Sequence, residues 1–378
     1  MNEKGRQSAR TSKMSEKKSN CLILIIILFL AGLAGAWYYY QNFYLKGEIP
    51  ELPHTLVAQL TGKEAVSNSE TYDVMGTDLG IIVKYGGTFR YIFGDTFGDE
   101  FTTMADMEGK NVNWRSNVMA VSTDTIFADG ISINYWINDT SPGHARELVT
   151  SLKINNQEMT VIPTGAVVLG TTFYLYYMSV NHWGQAGDWV CNNASIAVST
   201  DGEHFTKQPS VIWPGGGKCV QFAPIQDETG PLYSDTFQYF IATPSGRLGG
   251  PHLVRCPKTE MLTIGSYQYL VGRNNGEPVW GTDMSKSIPL FKGALGEASV
   301  MWNPYLERYT VVYLDHNEAK ILIRTAEHPW DEWGDPAAVA TAKEYPGLYG
   351  GFVHPQLVEE NGKTIYFIMS LWGDYNTF

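Results

Sequence analysis

An all-β fold is what this sequence predicts, and three observations carry that expectation. Short runs rich in Val, Ile, Tyr and Phe are separated by Gly, Asn and Pro, with 38 glycines among 378 residues. Long amphipathic helical patterns are hard to find. Trp and Tyr number 11 and 22, and residues of this kind favour pleated, half-buried surfaces.

The first 50 residues stand apart from the rest. Residues 1–20 carry Lys4, Arg6, Arg10, Lys13, Lys17 and Lys18 against Glu3 and Glu16, and read as a basic cytoplasmic tail. Residues 21–40, CLILIIILFLAGLAGAWYYY, are uncharged and about long enough to cross a bilayer. The basic flank predicts an N-terminus inside and a chain outside. Ala34-Gly35-Ala36 also fits a cleaved signal peptide, so anchor and signal peptide both stand as readings. Residues 41–53 read as a linker and 54–378 as the extracytoplasmic domain. The net charge of −12 disfavours nucleic acid as a partner. Cys191, Cys219 and Cys256 permit at most one internal disulfide, and Cys191–Cys219 is the expected pair. No C-x-x-C or H-E-x-x-H spacing occurs, so a zinc site has no support.

One hairpin pattern recurs five times. It begins at TDLGIIVKYGGTFRYIFGDTF (77–97) and returns near 163, 222, 296 and 350. A third apolar strand follows each of the first four copies: SNVMAVSTD, ASIAVSTDGEHF, PHLVRCP and ILIRTAEHPW. Intervals of 86, 59, 74 and 54 residues suit blades of up to four strands, which predicts a five-bladed β-propeller over 54–378. The fifth copy has little room for outer strands, so HTLVAQL from 54 is expected to join that sheet as a strand and close the ring. STDGEHF from 199 is a degenerate Asp-box, the mark of a turn between outer strands. A β-sandwich with irregular repeats is the competing fold.

The first hairpin carries an acid near each open end. With Gly86-Gly87 as its turn, opposed positions sum to 173, as do Asp78 and Asp95. Without a bulge the two would be cross-strand neighbours, Cβ atoms about 5 Å apart, at the channel rim. Two such charges should split in pKa, which is what glycoside hydrolysis asks of an acid and a base or nucleophile. Asp95 is taken as the acid. Glu297, in GEASVMW, is a third rim carboxylate that tunes the pair, serves as the acid, or simply pairs with an arginine such as Arg324. His354 opens the fifth copy and could orient an acid, bind sugar hydroxyls or, with rim carboxylates, ligate a central Ca²⁺; no dedicated loop supports the ion, and no cofactor is expected. Asp99, Arg115, Asn117, Arg247 and Asp374 follow strand ends on the same expected face and suit sugar hydroxyls. Trp114, Trp183, Trp189, Tyr349 and Trp372 offer rings to stack on sugars, Trp183 and Trp372 most of all because each adjoins a glycine.

GTDLG, YIFGDTF, WRSN, YYMSVNHWG, ATPSGRLG, GEASVMWNPYLERY, YPGLYGGFVHP and YFIMSLWGDYN occur in this order. Together they resemble a bacterial family, long catalogued as a domain of unknown function, that includes endo-D-arabinanases. The resemblance spans about 54–378. It implies a five-bladed propeller that cleaves α-linked D-arabinofuranose chains of arabinan-type cell-wall polysaccharide. It places the catalytic aspartates at Asp78 in TDLG and Asp95 in GDTF. A non-catalytic carbohydrate-binding propeller and a membrane-complex scaffold are the other function classes.

Overall fold

A computed structural model describes residues 49–138 and 143–378, and Glu51–Phe378 forms one compact unit. The basic tail and the apolar segment 21–40 lie outside the described residues. Among the described residues no helix is long and apolar enough to cross a membrane.

Strand follows strand in antiparallel order. The first sheet holds β1 (Gly76–Tyr85), β2 (Thr88–Phe97), β3 (Val118–Ser122) and β4 (Tyr135–Trp136). The second holds β5 (Thr160–Leu169), β6 (Thr172–Trp183), β7 (Trp189–Ser199) and β8 (Thr206–Pro214). The third runs through β9 (Gln221–Gln226), β10 (Phe237–Thr243), β11 (His252–Pro257), β12 (Gln268–Asn274) and β13 (Glu277–Gly281). The fourth is β14 (Leu295–Asn303), β15 (Arg308–Asp315), β16 (Lys320–Ala326) and β17 (Ala337–Thr341). A short parallel pairing of Val300 with Ile225 and Met301 with Gln226 joins these last two into one ladder. The fifth group has β18 (Leu348–Phe352), an outlying hairpin of β19 (Val358–Glu359) and β20 (Thr364–Ile365), then β21 (Ile368–Leu371) and β22 (Asn376–Thr377).

The first strands of the five groups close a cycle. β1 lies against β5, β5 against β9, β9 against β14, β14 against β18, and β18 against β1. The expected hairpin starts coincide with these strands, and the Asp-box is a turn between β7 and β8, where Asp201 Oδ1 accepts from the Glu203 and His204 amides. Large apolar residues fill the space between sheets. Trp213 is fully buried, with its ring centroid 4.6 Å from Phe222 and 4.8 Å from Tyr267, and its Nε1–H donates to the Tyr269 hydroxyl at 2.9 Å.

Two expectations fail here. Residues 54–60 do not form a strand. The Leu60 amide donates to Thr377 O at 2.8 Å, but the Leu60 carbonyl is taken by the Ser67 hydroxyl, and β22 is too short to template a ladder. The ring is instead secured across its seam by side chains: Thr377 Oγ1 donates to Thr77 O at 3.0 Å, and the Leu79 amide donates to Ser370 Oγ at 2.9 Å. Residues 52–60 cover an apolar cavity of about 620 Å³ against this last group. Cys191 and Cys219 are not paired; with Cys256 they are three buried free thiols.

Because Trp213 fills the boundary of the second and third sheets, Trp213→Ala should lower the free energy of unfolding by about 3–5 kcal/mol, measured by urea denaturation.

Candidate active site

The site grows from an irregularity in the first hairpin. Gly86 and Gly87, at φ 58° and 82°, make the tight turn, and the register holds the expected sum from Tyr85–Thr88 to Ile81–Ile92. It then breaks: Leu79 pairs with Phe93, and the sum is restored only at Thr77–Thr96. Leu79 sits at φ 67°, a left-handed conformation rare for a branched apolar residue. Asp78 is therefore in a bulge and is not the direct ladder partner of Asp95, contrary to the unbulged expectation. Bulges commonly re-aim side chains beside functional sites. Here a Cβ on Gly94 would stand 2.4 Å from Asp78 Oδ1, so the missing side chain makes room for the carboxyl.

Asp78 and Asp95 both line one open cavity of about 700 Å³. They are 9% and 6% exposed. Asp95 Oδ1 accepts from Thr160 Oγ1 at 2.6 Å and Trp114 Nε1 at 2.7 Å. Burial outweighs these bonds and pushes its pKa up to about 7. Asp78 Oδ2 accepts from the Tyr349 hydroxyl at 3.0 Å, and Tyr375 also favours its ionised form. Burial raises Asp78 well above the usual carboxylate range, and the charges of Asp95 and Glu297 raise it further. The charge of an ionised Asp95 favours the proton on Asp78.

The rim has two chemically distinct parts. On one, Arg247 donates to Glu297 Oε1 at 2.8 Å and lies 5.3 Å from the Tyr349 ring centroid and 5.6 Å from that of Trp189. Arg247, not Arg324, is the partner of Glu297; Arg324 donates to the Tyr313 hydroxyl and Gly334 O. Asp78 Oδ1, Glu297 Oε2, Arg247 Nε and Trp189 Nε1 are buried polar atoms without a hydrogen-bond partner among the described residues. On the other part, Met104, Met107 and Trp114 pack against Phe97, Phe101 and Tyr375, and Trp372 meets Tyr375 edge to face at 5.6 Å. Trp183 and Trp372 are 43% and 55% exposed at the mouth.

The cavity thus gathers Asp78, Asp95, Glu297, Trp114, Trp183, Arg247, Tyr349 and Trp372 of the expected site residues. Five others lie elsewhere. Asp99 is on the surface and accepts from Asn111. Arg115 is buried in an ion pair with Asp73 at 3.3 Å. Asn117 is a buried clamp that donates to Val149 O and Val161 O and accepts from the Leu148 and Val149 amides. His354 is buried near Phe89, where desolvation and Lys84 lower its pKa to about 3, away from the carboxylates. Asp374 does not line the cavity. The one cluster of possible metal ligands among the described residues is Asp73, Asp99 and His144, and Arg115 already pairs with its central carboxylate. Sequence reasoning missed Thr160 and Tyr375, the groups that touch the two acids from outside the hairpin. The GDYN run around Tyr375 was the available signal.

A family model described as Domain of unknown function (DUF4185) matches residues 65–378. The chain is 28% identical over 329 residues to Notoamide biosynthesis cluster protein J' of Aspergillus versicolor, covering 83% of this chain and 85% of the relative. It is similar in structure to a candidate hydrolase of Bacteroides ovatus, at TM-score 0.56 and 12% identity, over 79% of this chain and 80% of that one. It is also similar to an exo-beta-1,3-galactanase of Phanerochaete chrysosporium, at TM-score 0.50 and 11% identity, over 85% of this chain and 60% of the galactanase chain. These likenesses are of fold, an all-β propeller-like architecture.

Asp95 keeps its proton to about pH 7 when folded, whereas an unfolded aspartate releases it near pH 3.8. Between those values the folded state binds more protons, so stability falls as pH rises through the window. Asp95→Asn removes this loss and should gain on the native chain by up to about 4 kcal/mol between pH 4 and pH 8. Denaturant melts at both pH values check it; a gap independent of pH contradicts the assignment.

Proposed function

The chain belongs to the family described as Domain of unknown function (DUF4185), and on that footing we propose that it is a glycoside hydrolase whose acids are Asp78 and Asp95. The observation that carries the reading is a pair of desolvated carboxyls with unequal proton affinities at an open, aromatic-rimmed cavity. Asp78 is the general acid. It gives its proton to the glycosidic oxygen as the bond from that oxygen to the anomeric carbon breaks. Asp95, ionised, either takes the proton of the attacking water or attacks the anomeric carbon itself, the resulting ester then being hydrolysed. Both routes consume one water: in the first its proton is left on Asp95 and the pair resets by exchange with solvent, and in the second Asp78 takes it as the ester is hydrolysed.

The other groups fall into supporting roles. Tyr349 orients Asp78, while Thr160 and Trp114 orient Asp95. Glu297 adds charge that keeps the Asp78 proton in place, and Arg247 holds Glu297. Arg247, Glu297 and Trp189 line the cavity and bring polar groups that suit sugar hydroxyls.

The substrate we propose is an α-linked D-arabinofuranosyl chain of cell-wall polysaccharide. Support comes from the resemblance carried by TDLG and GDTF, whose aspartates are the two that face the cavity. The cycle of five first strands supports a five-bladed count for the propeller. The apolar segment 21–40 supports attachment to, or export across, a membrane.

Full-length protein incubated with D-arabinan should release shorter products, with L-arabinan as the control. Asp78→Asn and Asp95→Asn should each cut kcat by about 10³-fold or more while the far-UV spectrum stays native. The reading is lost if either variant turns over at a near-native rate. For the native chain, kcat/KM should rise as pH climbs through about 7, where Asp95 ionises, and fall once Asp78 loses its proton.

A further inference from the structure

The two parts of the rim differ in what they leave available to a ligand. Around Arg247 and Glu297 the cavity lining is charged and polar, which fits a hydroxyl-bearing ring. On the opposite part, the polar handles are already used or few. Trp114 Nε1 is bonded to Asp95, and the Tyr375 hydroxyl favours the ionised form of Asp78. Phe97, Met104 and Met107 have no donors to offer. A sugar placed there would give up hydrogen bonds to water and find almost none in return.

The methionines are held there by the fold. Met104 opens a one-turn 3-10 segment, Met104–Asp106, in the connection between β2 and β3. Its amide donates to Gly373 O at 3.1 Å, which ties this segment to the loop carrying Trp372. Polar residues of the same connection face outward: Lys110 and Asp106 form an exposed ion pair at 2.6 Å. Met104 and Met107 line the cavity. Thioether side chains are unbranched and polarizable, and they conform to irregular apolar shapes. Met159 and Met178 also line the cavity.

We propose that Phe97, Met104, Met107, Trp114 and Trp372 form a subsite for an alkyl or aryl group that the substrate carries beside its glycosidic bond. Asp95 touches this subsite through Trp114, and Asp78 touches the polar part through Tyr349, so the scissile bond falls at their junction. The proposal rests on the glycosidase reading for the bond that is broken. It does not rest on it for binding of the apolar group.

Two measurements on the full-length chain test it. In the first, hydrolysis of hexyl and methyl α-D-arabinofuranoside is compared. The hexyl compound should have at least a tenfold higher kcat/KM, and the ratio should fall toward one in Met104→Gln/Met107→Gln. Equal rates for the two glycosides in the native chain, or a ratio unmoved by the double substitution, overturn the subsite. The second needs no turnover: affinity for the neutral naphthalene dye prodan should drop at least fivefold in the same variant, and hexyl but not methyl glycoside should displace the dye from the native chain. Unchanged dye affinity overturns the apolar subsite. Loss of dye affinity with no hydrolysis of either glycoside upholds the subsite and counts against the glycosidase reading alone.

Discussion

Desolvation of two carboxyl groups on a single hairpin is the constraint on which the candidate site depends. A buried acid holds its proton because the ionised form gives up water and finds few replacements. Asp95 finds two, the Thr160 hydroxyl and the Trp114 indole, both on the same oxygen. Asp78 lies near Asp95 and Glu297, whose charges add to the effect of burial. Groups of identical chemistry thereby acquire different proton affinities through their surroundings alone. The bulge at Leu79, the missing side chain of Gly94 and the tyrosines of the last group all converge on that difference.

Much of the framework was legible because it depends on local pattern. The turn at Gly86-Gly87 needs two positive φ values, which glycine supplies without strain, and alternation of apolar residues marks each first strand. Asp78 and Asp95 were found by counting from that turn, although the count assumed a regular ladder. The bulge could not be read, because a leucine in left-handed conformation carries no compositional mark and is imposed by tertiary contacts, among them the Ser370 hydroxyl on its amide. Arg115 and Asn117 were correctly placed near strand ends and wrongly expected in the site. The Arg115 Nη atoms and the Asn117 amide are taken by backbone and by Asp73, an outcome set by loops distant in sequence. The expected disulfide and the strand at 54–60 failed for similar reasons: both required distances that residue spacing does not define.

Division of the rim into a polar and an apolar part gives the cavity a direction. Arg247 serves two purposes on the polar part, as an ion partner to Glu297 and as a flat cation lying near Tyr349 and Trp189. The apolar part is carried by a connection rather than a strand, and connections vary more readily than the sheets they join. One scaffold could hold its acids constant while the accompanying loop adapts to different molecules.

The seam bears on how the chain is made. Thr77 and Leu79 are held by Thr377 and Ser370, partners roughly 300 residues later in the sequence. A ribosome delivers the first strands long before those partners emerge. During synthesis the unfinished ring therefore presents an open sheet edge, the kind of surface that invites mispairing between nascent chains. Closure is a late, long-range event, and such topologies fold slowly. Chaperone demand, more than thermodynamic stability, would then set how much of this protein a cell accumulates.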